Sequence, residues 1–206
     1  MPITKTYELY KFEELSERAK EKAREWYREC RDSSDLETTV DDCVKCGELL
    51  GITFKTHEEK LYGGKTRHEP SFWYSLGYCQ GDFVAFDGTY EYAPPRLVRE
   101  YAPEDEKLHA IADGLQEIQM GWGEGLTARI SQHHYYGLEV AVYHRDDDVE
   151  VPTEVERSIK ELLRDYCTWA YNQLRTEDEY QSSDEVVDEN IKLNEYTFTV
   201  DGKRSD

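Results

Sequence analysis

Three groups of side chains in this sequence have the types and spacing to do chemistry. Cys43 and Cys46 form a CxxC within DDCVKCG. Two thiolates at that spacing supply half of a tetrahedral zinc site, or a redox pair. Zinc needs a second pair, and Cys30, Cys79 and Cys167 are scattered, with no further CxxC and no HxxxH among them. The pair also falls in a stretch that reads as helix, where small cysteines serve as packing, so the expectation is no metal and no cofactor.

His133, His134 and His144 bracket a strand-like stretch, and Asp146, Asp147 and Asp148 follow at once. Imidazole and carboxylate together can hold a divalent cation and activate water, which gives a metal-dependent hydrolase reading built on His133, His144 and the aspartate run. Against it, neighbours on a strand point to opposite faces, so His133 and His134 do not readily share one ion. Gln80-Gly81-Asp82 sits between aromatic segments and reads as turn chemistry. There is no GxxxxGK(S/T), no GxGxxG after a strand and no GxSxG elbow. No catalytic residue is assigned, and the chain is read as a non-enzyme.

The third group is the acid. Glu177, Asp178, Glu179, Asp184, Glu185, Asp188 and Glu189 place seven carboxylates within 13 residues, and Asp146, Asp147, Asp148, Glu150, Glu154 and Glu156 make a second cluster upstream. The whole chain has 45 acidic against 25 basic residues, a net −20. Solubility of a small domain needs a net charge of only roughly 2–8. Residues 1–31 carry 8 basic and 7 acidic side chains, whereas 146–206 carry 7 and 18, so the acid concentrates in a C-terminal third that reads as helical. Such a balance rules against direct binding to nucleic acid or anionic membrane. It suits the basic groove of a nucleic-acid-binding protein, since −20 equals the charge of about 10 base pairs of duplex.

The elements that must position these groups follow from pattern. Residues 4–12 alternate as a short strand, and Ser16 starts a helix with Leu15, Ala19, Ala23, Trp26 and Cys30 as its apolar stripe. A second helix spans about 36–50 and stops at Gly51. Residues 52–54, 72–78, 83–86 and 89–92 are aromatic-rich and β-prone, punctuated by Gly63-Gly64, Gly81-Asp82 and Asp87-Gly88, and read as an antiparallel meander ended by Pro94-Pro95. A helix after Pro103 presents Leu108, Ile111, Ala112, Leu115, Ile118 and Trp122. Leu126, Ala128 and Ile130, then Leu138, Val140 and Val142, alternate as a hairpin around 132–137. Thr153 opens a long helix striped by Val155, Ile159, Leu162, Leu163, Tyr166, Trp169, Ala170 and Leu174. Asp184 begins a short helix, and Tyr196, Phe198 and Val200 suggest a last strand. The expectation is an α+β fold, a mostly antiparallel sheet packed by several amphipathic helices, in a single compact domain over 1–206 with an acidic helical third at 146–206. Sixteen tyrosines exceed what a core of this size uses. No apolar run reaches the roughly 20 residues of a membrane span and no signal-peptide pattern is present, so the chain is read as cytoplasmic. Its odd count of five cysteines fits a reducing compartment.

Segments KFEELSERAKEKAREWYRE, CGELLGITF, FWYSLGYCQGDFVAFDGTYEY, YAPEDEKLHAIADGLQ and EDEYQSSDEVVDENIKLNEYTFTVDGKR, in this order, span nearly the whole chain. The series resembles a family of acidic phage and prophage proteins often labelled "antitoxin of toxin–antitoxin stability system". That family more often has small residues after the QGD turn, where Phe83 and Val84 stand here. The resemblance implies a phage context within a bacterial host and, through its label, an antitoxin neutralising a cognate toxin. Combined with the charge, the first expectation is an acidic inhibitor of a basic, nucleic-acid-binding host or defence protein, of anti-restriction or anti-CRISPR type. Its binding residues would be Asp146, Asp147, Asp148, Glu150, Glu177, Asp178, Glu179, Asp184, Glu185, Asp188 and Glu189.

Overall fold

Ser16, Asp105 and Ser183 each precede a helix and accept a backbone N–H of its first turn: Ala19 at 3.4 Å, Leu108 at 2.9 Å and Val186 at 3.5 Å. Each satisfies a donor that a bare helix start leaves open. The computed structural model describes residues 8–31, 33–60, 63–78, 81–132 and 138–205. In chain order the elements are β1 (Tyr10–Lys11), α1 (Glu17–Cys30), α2 (Glu37–Leu49), β2 (Ile52–Phe54), β3 (Thr56–Lys60), β4 (Thr66–Pro70), β5 (Phe72–Ser75), β6 (Phe83–Phe86) and β7 (Gly88–Tyr90). They continue as α3 (Arg96–Tyr101), α4 (Glu106–Met120), β8 (Leu126–Gln132), β9 (Leu138–His144), α5 (Thr153–Gln181), α6 (Asp184–Leu193) and β10 (Thr197–Phe198). Every described strand pairing is antiparallel, and the fold is α+β as expected. Contacts gather into two compact units, one from residues 1–38 and 176–206, the other from 39–175.

The central unit is organised by a backbone triangle. Lys55 N–H donates to Asp87 O at 2.9 Å, Asp87 N–H to Ser71 O at 3.0 Å, and Ser71 N–H to Lys55 O at 2.6 Å. Three two-stranded ladders start from these residues: β2/β7 with Phe54 opposite Gly88, β3/β4 with Thr56 opposite Pro70, and β5/β6 with Phe72 opposite Phe86. The meander expected for this region is therefore a nest, in which β2 and β7 bracket two hairpins. The sequence pattern missed β3 and β4 because all five β3 residues and the first three of β4 are exposed, so no apolar alternation marks them. The Asp87 carboxylate accepts the Gln132 N–H at 2.8 Å and ties the junction to the end of β8.

From β7 the sheet continues through β8 to β9, in the order β2-β7-β8-β9. Leu126, Ala128 and Ile130 bury one face of β8, as their alternation predicts. Fully buried Tyr166 of α5 lies edge-on to Phe86 at 5.7 Å and stacks on Trp169 at 6.0 Å, while its O–H donates to Cys43 O at 2.7 Å. Gln119 of α4 is also fully buried: its amide donates to Leu126 O at 2.8 Å and accepts the Leu126 N–H at 3.1 Å, acting as a short extra strand. A helix absent from the sequence expectation is α3, which begins directly after Pro94-Pro95.

The terminal unit packs Phe12, Leu15, Ala19 and Ala23 against Val187, Ile191 and Phe198. Trp26 lies edge-on to Tyr196 at 5.2 Å and to Phe198 at 5.8 Å, and the Arg204 guanidinium sits 4.7 Å from the Tyr196 ring centre. Gly202 closes the chain over α1 with φ +82, where a Cβ would stand 2.1 Å from Ala19 O. Among the described residues no helix is long and apolar enough to cross a membrane.

Candidate functional site

Cys43 and Cys46 lie on α2 and are 1% and 3% exposed. Cys43 Sγ donates to Ala170 O at 3.9 Å. Burial, more than the neighbouring acids, pushes both thiols up to about 12, so neither is a ready thiolate ligand or redox nucleophile. The pair packs the central unit, as its helical setting suggested. Among the described residues no three His, Cys, Asp or Glu side chains converge in a way that could hold a metal ion.

His133 and His134, with the hairpin tip, lie outside the described residues, as do Cys79 and Gln80. His144 is described, and both ring nitrogens are engaged. Nδ1 accepts the Asp146 N–H at 3.1 Å, which puts the proton on Nε2, facing Trp122 O at 3.3 Å. Gly125 leaves room for the ring, since a Cβ there would stand 2.3 Å from Nε2. The imidazole that sequence spacing offered as a metal ligand instead anchors the acidic loop. That loop turns tightly, with Val149 N–H donating to Asp146 O at 3.0 Å, so Asp147 and Asp148 occupy the corner. Asp146, Asp147, Asp148 and Glu150 are all exposed. Among the described residues none of the four has an Arg or Lys within ion-pair distance; Asp146 faces His144 Nδ1 at 3.8 Å.

The downstream acid is arranged differently. Arg24 forms a bidentate pair with Asp188, Nε to Oδ1 at 2.6 Å and Nη2 to Oδ2 at 2.7 Å, the two side chains being 14% and 21% exposed. The Asp188 hydrogen bonds push the arginine's proton affinity higher still. Arg28 pairs with Asp184 and its Nε donates to Ser182 O at 2.9 Å. Arg31 reaches Asp35 at 2.8 Å and Asp178 at 3.4 Å. Gln181 donates to Glu177 at 2.8 Å. Asp178, Asp184 and Asp188, expected at a partner interface, are thus ligated by arginines of α1 and of the residue that follows it, inside the terminal unit. Glu179, Glu185 and Glu189 are exposed. The eleven expected binding carboxylates divide between the units, four in the central and seven in the terminal one.

The arginine partners were readable in part: residues 24 and 28 share one face of α1, and residue 31 follows three positions on, just past the helix end. The anchoring role of His144 had no sequence signal, because it depends on the Trp122 carbonyl, 22 residues away. In the Gly81-Asp82 turn, Asp82 accepts Gly77 N–H at 2.7 Å, the backbone bond expected of a turn aspartate, and it also accepts the Tyr171 hydroxyl at 3.2 Å from α5.

A family model described as a domain of unknown function, DUF8835, matches residues 36–184. The match takes in the whole central unit and little of the terminal one. No curated protein and no solved structure matches the chain.

Proposed function

We propose that this chain, which belongs to the DUF8835 family, is an acidic binding protein that occupies the basic groove of a nucleic-acid-binding protein. The observation that carries the reading is the anchored turn at Asp146–Asp148 with Glu150, four exposed carboxylates without Arg or Lys ion pairs among the described residues. Carboxylates already bound to Arg24, Arg28 and Arg31 would have to be exchanged from one arginine to another. Those of the turn exchange only water and counterions. The turn is also held in place by His144, so little ordering entropy is lost on binding. Glu185 and Glu189 on α6 add exposed charge. A net −20 accelerates encounter with a basic surface and makes association fall steeply with salt. The resemblance to phage proteins points to a host defence complex of restriction or CRISPR type as the partner.

The test is capture from bacterial host lysate at low salt, elution by a salt gradient and competition with duplex DNA. The expected result is one nucleic-acid-binding complex, displaced by DNA, and lost from the D146N/D147N/D148N/E150Q variant. Equal capture by that variant, at the same salt, contradicts the assignment. Recovery of a single small basic toxin would favour the antitoxin reading instead.

A further inference from the structure

His144 holds the acidic turn through a single lone pair. Its Nδ1 accepts the Asp146 N–H at 3.1 Å, which a ring nitrogen does only while it carries no proton. Its Nε2 faces Trp122 O at 3.3 Å and keeps its hydrogen in either charge state of the ring. Histidine is also the side chain that ordinarily changes charge between about pH 5 and 8. We infer that this hold is pH-gated: a proton bound at His144 Nδ1 replaces the Asp146 backbone N–H with the Asp146 carboxylate as the partner of the ring.

The surroundings keep the exchange local. The His144 side chain is 13% exposed, occupies the space that Gly125 leaves open and lies 6.4 Å from the Trp122 ring. With Nε2 still bound to Trp122 O, the ring stays and the turn moves. A proton on Nδ1 meets the Asp146 N–H donor against donor, so that bond is lost. Asp146 Oδ2 already stands 3.8 Å from Nδ1 on a side chain that is 81% exposed. It needs to close by only about 1 Å to accept the new proton in a charge-assisted bond. The other charged groups nearby are Arg145, turned to Glu91 at 3.7 Å, and Glu124, exposed on the 121–125 turn. From β8, Leu126 stands opposite His144.

For binding, the exchange has two effects, and here the inference rests on the role proposed above for the turn. The turn loses the bond that orders it, and an imidazolium takes up one of its four exposed carboxylates. A basic partner therefore binds the deprotonated form better and, by linkage, expels the proton on binding.

The experiment is nitrogen-15 NMR of the whole protein without a partner, from pH 8 to pH 5.5. It follows the His144 ring nitrogens and the Asp146 and Val149 amides. The Asp146 amide is expected to shift on the same curve along which Nδ1 gains its proton. Its hydrogen exchange, corrected for the intrinsic effect of pH, should speed up about fivefold or more as one hydrogen bond is lost. In His144→Phe that fast exchange should hold at every pH. In Asp146→Asn, an exposed change that keeps the N–H, the pH-dependent release should persist. Because no partner is present, a failed binding role leaves these curves unchanged, while a failed switch leaves capture at pH 8 intact. An Asp146 amide that stays fixed while the ring titrates, or a pH response that survives in His144→Phe, would overturn the inference. So would a response that disappears in Asp146→Asn, since it would then belong to the carboxylate.

Discussion

The two units solve the problem of excess acid in opposite ways. In the terminal unit, α1 and its C-terminal cap answer the carboxylates of Asp178, Asp184 and Asp188 with Arg31, Arg28 and Arg24. In the central unit the turn at Asp146–Asp148 is pinned by backbone and imidazole hydrogen bonds that leave its carboxylates in water. One cluster is part of the fold and the other is carried by it. Charge density along the sequence therefore does not tell which carboxylates the fold uses; the partner of each carboxylate does.

The contrast predicts different sensitivities. Alkali should strike the central unit. Cys43, Cys46 and Cys167 have thiols raised from an ordinary 9.0 to about 12. A folded state that keeps these protons is favoured fully below pH 9, and the advantage is lost as pH rises toward 12. Each thiol contributes up to about 1.4 kcal/mol per pH unit in that window. The arginine pairs of the terminal unit keep their charge there. Hydrogen exchange at pH 8 and pH 10.5 should show peptides from 39–175 losing protection first; simultaneous loss in both units would break the comparison.

Next in size is Gln119→Leu, which leaves the buried Leu126 N–H and O without their partner and should cost about 3 kcal/mol in denaturant unfolding. Because the lost bonds are neutral, the cost should be the same at low and high salt. Arg24→Ala should cost about 2 kcal/mol, given a mostly buried bidentate pair, and the loss should shrink as salt rises. A double-mutant cycle with Asp188→Asn should return a coupling of about 1–2 kcal/mol. Arg28→Ala should cost only about 0.5 kcal/mol, because its partner Asp184 is 62% exposed and solvent screens the pair.

Much of this architecture was legible in the sequence. The stripe of α5, from Ile159 through Tyr166 to Leu174, and the alternation of β8 and β9 follow directly from period. Pairing was less legible. Residues 52–54 find 88–90 across two intervening hairpins, a choice set by the Lys55–Ser71–Asp87 triangle and not by any local pattern. Gln119 reads as a break in the apolar face of α4, yet it is fully buried because its amide completes the start of β8. The tyrosine surplus also has a tertiary answer: Tyr78, Tyr143 and Tyr196 lie beneath the guanidinium groups of Arg175, Arg129 and Arg204. At the candidate site, the sequence located the acid and left its division into bound and exposed halves to the fold.

That division is tested most directly by denaturant unfolding, at low salt, of two charge-neutralised variants beside the parent protein. D178N/D184N/D188N should lose about 3 kcal/mol, while D146N/D147N/D148N should stay within about 0.5 kcal/mol of the parent or gain slightly. Equal destabilisation of both, or a terminal variant as stable as the parent, would contradict the account.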